Sequence, residues 1–203
     1  MFTRQGLLLA WKGIRPYFVF SFILFMAGVV IGGTPGAPTD LLEAQMQGVE
    51  NIAKSIVESE NPEWTAFKAI TMNNVMISLL VMGLGIIGGI MPFFTLVVNG
   101  MVMGYLLSGL AANGENVFML VVKGILPHGI LELSAVFLAC AFGMRFGVTL
   151  IKGIFGSAFG KTEPWQPFVN TATGAVPALI VVVAFLLLGA VVESTITYWL
   201  MSL

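Results

Sequence analysis

Apolar residues run along this chain in long stretches, and the polar residues between them fall into a few short clusters. The first stretch, from about Tyr17 to Gly33, is near the lower limit of ~17 residues for crossing a hydrocarbon core. Thr34, Pro35, Gly36, Ala37 and Pro38 end it. No charged residue occurs from Ile70 to Ala112, which is too long for one crossing and needs a reversal. Gly88, Gly89, Met91 and Pro92 supply it, so a second span is expected over Ile70 to Ile90 and a third over Phe93 to Ala111. Asn113, Gly114, Glu115 and Asn116 mark the next polar exit. Val117 to Phe142 carries Lys123, Pro127, His128 and Glu132 and is the least lipid-like of the apolar runs. It predicts a broken or partly re-entrant lead-in to a fourth span. Met144 to Gln166 reads as a loop, because Gly153, Gly156, Gly160 and Pro164 oppose a long helix. Pro167 to Glu193, interrupted by Pro177, gives the fifth span, with Tyr198 and Trp199 near the interface beyond it.

Between the first two spans the pattern changes. From Asp40 to Glu63 the apolar residues Leu41, Leu42, Met46, Val49, Ile52, Ala53, Ile56 and Val57 recur at three-or-four spacing, with acids on the other face. This predicts an amphipathic helix outside the bilayer core, with Trp64 and Phe67 anchoring the chain where it re-enters. The predicted fold is therefore all-α: a polytopic membrane bundle of about five transmembrane helices plus an external amphipathic helix. It forms one membrane domain over residues 1–203, in which 34–69 is the extracytoplasmic segment.

Composition agrees. Of 203 residues 58% are hydrophobic and 9% charged, against about 25% charged in a soluble domain. So few charges cannot cover a water-facing surface. Arg4, Lys12 and Arg15 precede the first apolar run as in a signal peptide, but that run is long, rich in large aromatics and followed by no small-x-small cleavage site, so it reads as a retained span. Lys and Arg set the orientation. Arg4, Lys12, Arg15, Arg145, Lys152 and Lys161 fall on one side and Lys54, Lys68 and Lys123 on the other, which predicts a multi-pass protein of the cytoplasmic membrane with its N-terminus in the cytoplasm. A net charge of −1 without a basic cluster excludes nucleic acid as a partner. Cys140 stands alone, so no disulfide framework is expected.

An ionisable group inside lipid costs about 2.5–3.5 kcal/mol on insertion scales, so His128 and Glu132 stand out. Four residues apart on a helix, they share one face within reach of a direct hydrogen bond. Three uses stay open. The pair can fix span packing, relay a proton, or supply two ligands to a metal, for which zinc is the candidate. Two donors do not close a tetrahedron, and HGILE is not HExxH. Asn73, Asn74 and Asn99 form an intramembrane polar set that would seek partners in a bundle. Gly85, Gly88, Gly89, Gly100, Gly104, Ser108 and Gly109 point to close helix packing, within a subunit or between two. No GxSxG elbow, no phosphate-cradling loop and no paired catalytic carboxylates appear, so no catalytic residues are assigned and the chain is not expected to be an enzyme.

PHGILELSAVFLACAFGMRFG, from Pro127 to Gly147, resembles the signature of the stage II sporulation protein M family. RPYFVFSFILFMAGVVIGG in the first span, Asn73-Asn74 before a Gly-rich run, and NGMVMG from Asn99 to Gly104 resemble the same family in the same order. The resemblance implies five spans with the N-terminus inside. It also implies a scaffold that positions partner proteins degrading septal peptidoglycan during engulfment of the forespore. By similarity His128 and Glu132 match the PHG..E positions, and the three asparagines match the family's intramembrane asparagines. Ala139, Cys140 and Ala141 depart from it, standing where a Gly-containing run is expected. The leading expectation is a homodimeric scaffold that binds peptidoglycan-hydrolase partners in the bilayer. An intramembrane metal-dependent enzyme and a transporter or permease component remain as alternatives.

Overall fold

A computed structural model describes residues 4–201 of the protein, so the extreme ends of the 1–203 domain lie outside the described residues, as do the side chains of Arg4, Ala53, Glu63 and Tyr198. Among the described residues there are helices and no strand. The long ones are α1 (Arg4–Gly32), α2 (Thr39–Val57), α3 (Pro62–Leu84), α4 (Ile90–Ala112), α6 (Leu126–Ala158) and α7 (Gln166–Val192). Short α5 (Val117–Met119) leads through a π-helical segment, Leu120–Ile125, into α6, and a second π-helical segment, Glu193–Thr197, joins α7 to α8 (Tyr198–Met201). Five stretches are long and apolar enough to cross a membrane: Ala10–Gly32, Trp64–Leu84, Ile90–Ala112, Val117–Ala158 and Gln166–Thr197.

α6 is the central helix and packs on α1, α3, α4 and α7. Ala139, Cys140 and Ala141, where the resemblance leads one to expect glycine, are fully buried in it. Phe137 of α6 makes edge-on contacts with Phe18, Phe22 and Phe25 of α1 at 5.4–6.1 Å between ring centres. The outside of the bundle is lined by exposed Val19, Ile23, Ile87, Phe94, Ile180 and Leu188. A surface of that kind suits lipid rather than water.

Two glycine pairs bring backbones together. Gly28 and Gly32 of α1 face Gly100 and Gly104 of α4; a Cβ on Gly28 would lie 3.1 Å from the Cα of Gly100, and one on Gly104 2.8 Å from the carbonyl carbon of Val29. The Gly85–Gly89 turn lies in the same way against Gly143 and Gly147 of α6. Small residues four apart let helices approach to backbone contact where lipid offers no hydrophobic drive.

Four boundaries differ from the sequence reading. The region Met144 to Gln166 is not a loop: α6 runs through it to Ala158, and the connection is only 159–165. Gly153 and Gly156 pack rather than break, since a Cβ on either would meet the ring of Trp165 at 2.7 Å or Pro164 Cβ at 2.8 Å. The second span ends at Leu84 and the reversal falls at Gly85–Gly89, where Gly88 and Gly89 take φ of 64° and 76°. Pro92 lies within the first turn of α4, where its missing N–H removes no helical bond. Pro177 stays inside α7 without breaking it, and α1 starts well before Tyr17. The lead-in to the fourth span is a π-helical segment that runs on into α6 without a break in the helix.

α2 lies across the far ends of α3 and α4 and buries Leu42 completely. Its outer face carries an Lys54–Glu50 pair at 2.9 Å, which holds the Glu50 carboxyl below its ordinary range. Asn61 caps α3 by accepting from the backbone N–H of Trp64 at 3.3 Å, and Trp64 stacks on Phe67.

Candidate functional site

Asn73, Asn74, Asn99, His128 and Glu132 all line one cavity of about 260 Å³. α3 and α4 are joined by the Gly85–Gly89 turn but touch each other little above it, and α6 and α1 form the back of the opening between them. α2 lies over the other end. The result is a cleft that opens between the two helices, where Asn73 and Asn99 are exposed while Asn74, His128 and Glu132 are half-buried.

The asparagines sit at the middle of their helices, and His128 and Glu132 in the first two turns of α6. Asn73 is near the centre of α3 (Pro62–Leu84), and Asn99 near that of α4 (Ile90–Ala112). At 1.5 Å per residue, Asn99 stands ~14 Å along α4 from the turn, about half of a ~30 Å hydrocarbon core. Its Nδ2 donates to Thr95 O at 2.8 Å, which uses one of the amide's two N–H donors and leaves the other, with the Oδ1 acceptor, to the cleft.

His128 Nδ1 is 3.2 Å from Thr197 Oγ1. The ring therefore pairs with a hydroxyl 69 positions away rather than with Glu132 as expected. The bond ties the start of α6 to the second π-helical segment, and the first π-helical segment ends just before it, at Ile125. π-Helical turns are rare and concentrate at functional sites. Glu132 turns toward α7 instead. Gly189 makes room for it, and Glu193 is close enough for its charge to act on it.

Thr197, Gly189 and Glu193 belong to the site and were not singled out from the sequence. The only local signal was an acid at the end of the fifth apolar run, since nothing in a sequence pairs α7 with α6. On α3, the hydroxyls of Thr71 and Ser78 share the Asn74 side of the helix, and both are buried without a hydrogen-bond partner among the described residues. No set of three His, Cys, Asp or Glu side chains able to hold a metal comes together among the described residues. His128 and Glu132 give two donors, fewer than the three protein ligands of a catalytic zinc. A second, larger cavity of about 380 Å³ between α1, α6 and α7 is lined almost wholly by apolar side chains.

Residues 21–198, which include every cleft residue named above, match the family model described as Stage II sporulation protein M. Uncharacterized protein MJ0706 of Methanocaldococcus jannaschii is 28% identical over 130 residues, 64% of this chain and 55% of that protein. Uncharacterized protein MJ0793 of the same organism is 33% identical over 86 residues, 41% of this chain and 48% of that protein. The chain thus spans about half the length of the curated relatives it matches. No solved structure matches it.

Proposed function

Because the chain belongs to the stage II sporulation protein M family, a sporulation-related family of membrane proteins, we propose that it is a non-enzymatic scaffold of the cytoplasmic membrane that holds cell-envelope partner proteins, of the kind that remodel peptidoglycan. The N-terminus lies in the cytoplasm and α2 on the outer face. The observation that carries this reading is the sideways opening of the polar cleft. A site that takes its ligand from water opens to water, whereas this one presents hydrogen-bonding groups at mid-bilayer depth to whatever is embedded beside it. Exposed carboxamides there are costly in lipid and favourable against another helix. α2 adds an acidic face beyond the membrane, with Asp40, Glu43 and Glu50 exposed.

Photo-crosslinking in the native host tests the reading. A benzophenone amino acid replaces Met72, 61% exposed beside the cleft, and in a second strain Glu43 on α2. Adducts with a cell-envelope protein at both positions are expected. Adducts with lipid alone would remove the scaffold reading.

A further inference from the structure

We infer that the apolar groove between α1, α6 and α7 binds one phospholipid with an anionic headgroup, drawn from the leaflet on the N-terminal side of the membrane. The groove is separate from the polar cleft and stands whether or not the scaffold reading does. α6 is its floor, and α1 and α7, which touch each other little, are its walls. Its length selects the occupant. The lining runs from Ala10 to Phe18 along α1 and from Gly174 to Phe185 along α7. At 1.5 Å per residue that is ~12–16 Å, the depth of one leaflet of a ~30 Å hydrocarbon core. Ala10 begins the first membrane-spanning stretch, and a Cβ on Gly174 would lie 3.9 Å from that of Ala10. This end is therefore at the membrane surface, and the Phe18 and Phe185 end is near the midplane. An acyl chain has that reach. A partner's transmembrane helix needs a furrow through both leaflets, about 20 residues long, and this one stops halfway.

The surface end carries the charge that a headgroup needs. Arg145 lies three residues beyond Phe142 and seven beyond Leu138, on the face of α6 that floors the groove. Its guanidinium rests against α1 beside the groove-lining Ile14, where a Cβ on Gly13 would come within 2.7 Å of Nη1. Among the described residues it has no carboxylate partner. Exposed Arg15 stands one turn from Trp11, another lining residue at this end. Six Lys and Arg belong to this side of the bundle against a single acid, Glu163, so an anionic headgroup meets attraction almost alone. A second copy of the chain would bring the same cations to the contact.

Native mass spectrometry of the full chain in micelles, titrated with dioleoyl phosphatidylglycerol, dioleoyl phosphatidylcholine or inorganic phosphate, counts what is held. One phosphatidylglycerol is expected, bound about tenfold more tightly than phosphatidylcholine, with phosphate alone not retained. Arg145→Gln is expected to weaken phosphatidylglycerol about fivefold and leave phosphatidylcholine unchanged, and Arg145→Lys to keep most of the preference. Val181→Trp, on the 41% exposed wall of the groove, is expected to weaken both lipids, and Asn73→Leu in the cleft to weaken neither. Equal affinity for the two headgroups overturns the site, as does a preference that Arg145→Gln leaves intact. Should Arg145→Gln not fold, the other two variants decide: binding lost in Val181→Trp alone supports the groove, and binding kept there or lost in Asn73→Leu overturns it. Phosphate retained without a lipid chain also overturns it.

Discussion

Glu132 on α6 and Gly189 on α7 share one space: a Cβ on Gly189 would lie 2.7 Å from Glu132 Cγ and 3.4 Å from its Oε1. The glycine fixes where the carboxyl sits, because any side chain there drives Glu132 to another rotamer. Gly189→Ala is expected to lower stability by about 1–3 kcal/mol, the cost of overpacking a well-filled contact. In the Glu132→Ala background the same substitution should cost much less, since the atom it strikes is gone. Denaturant titration in mixed micelles of the four members of this cycle reads the coupling. Additive effects would mean that the two residues do not share the space.

The α1–α4 crossing gives a sharper contrast between glycines of one helix. Gly104 faces the backbone of Val29, while Gly109, five residues on, has nothing within 4 Å of where a Cβ would stand. Gly104→Ala should force the two helices apart and destabilise by about 1–3 kcal/mol. Gly109→Ala should be neutral or stabilise by about 0.5–1 kcal/mol through helix propensity. Thermal unfolding of the two variants side by side separates packing glycines from incidental ones.

Much of this was legible in the sequence, and the reason is the solvent. Lipid forces each span to be a helix and to be apolar, so the five crossings and the amphipathic α2 follow from hydropathy and period alone. The convergence of Asn73, Asn74, Asn99, His128 and Glu132 on one cleft follows from the cost of leaving such groups in lipid. Glycine is where the reading failed, because it has two opposite uses. Gly88 and Gly89 end a helix through positive φ, whereas Gly153 and Gly156 lie inside one and accept Trp165 and Pro164. Local sequence does not distinguish a glycine needed for its backbone from one needed for its missing side chain. The His128–Thr197 pairing was equally out of reach, since it depends on how the fourth and fifth spans are set against each other.

That pairing makes a prediction about local opening. His128 and Thr197 join the beginning of α6 to the π-helical segment after α7. A single hydrogen bond of this kind is worth about 1 kcal/mol net. Thr197→Val keeps the shape and removes the partner, so global stability should fall by about that much. Amide exchange should rise at Leu120–Ile125 and Glu193–Thr197 together and stay unchanged in α4. Exchange that rises in only one of the two segments would show that the bond does not link them.

The orientation can be tested with the protein's own chemistry. Cys140 is fully buried in α6, so the native chain should not react with a membrane-impermeant maleimide added to intact cells. A cysteine placed at exposed Glu43 on α2 or at exposed Gly114 after α4 should label from outside; one at exposed Lys161, between α6 and α7, should label only after the membrane is opened. Three crossings separate Glu43 from Lys161, and one more returns the chain outward through α7, so a single pattern fixes every loop. The Lys and Arg asymmetry supplies the expected sign, six residues on the side of the N-terminus against three on the other. The reverse pattern would put the acidic face of α2 in the cytosol, where no cell-wall enzyme could meet it, and would end the proposal that this face recruits one.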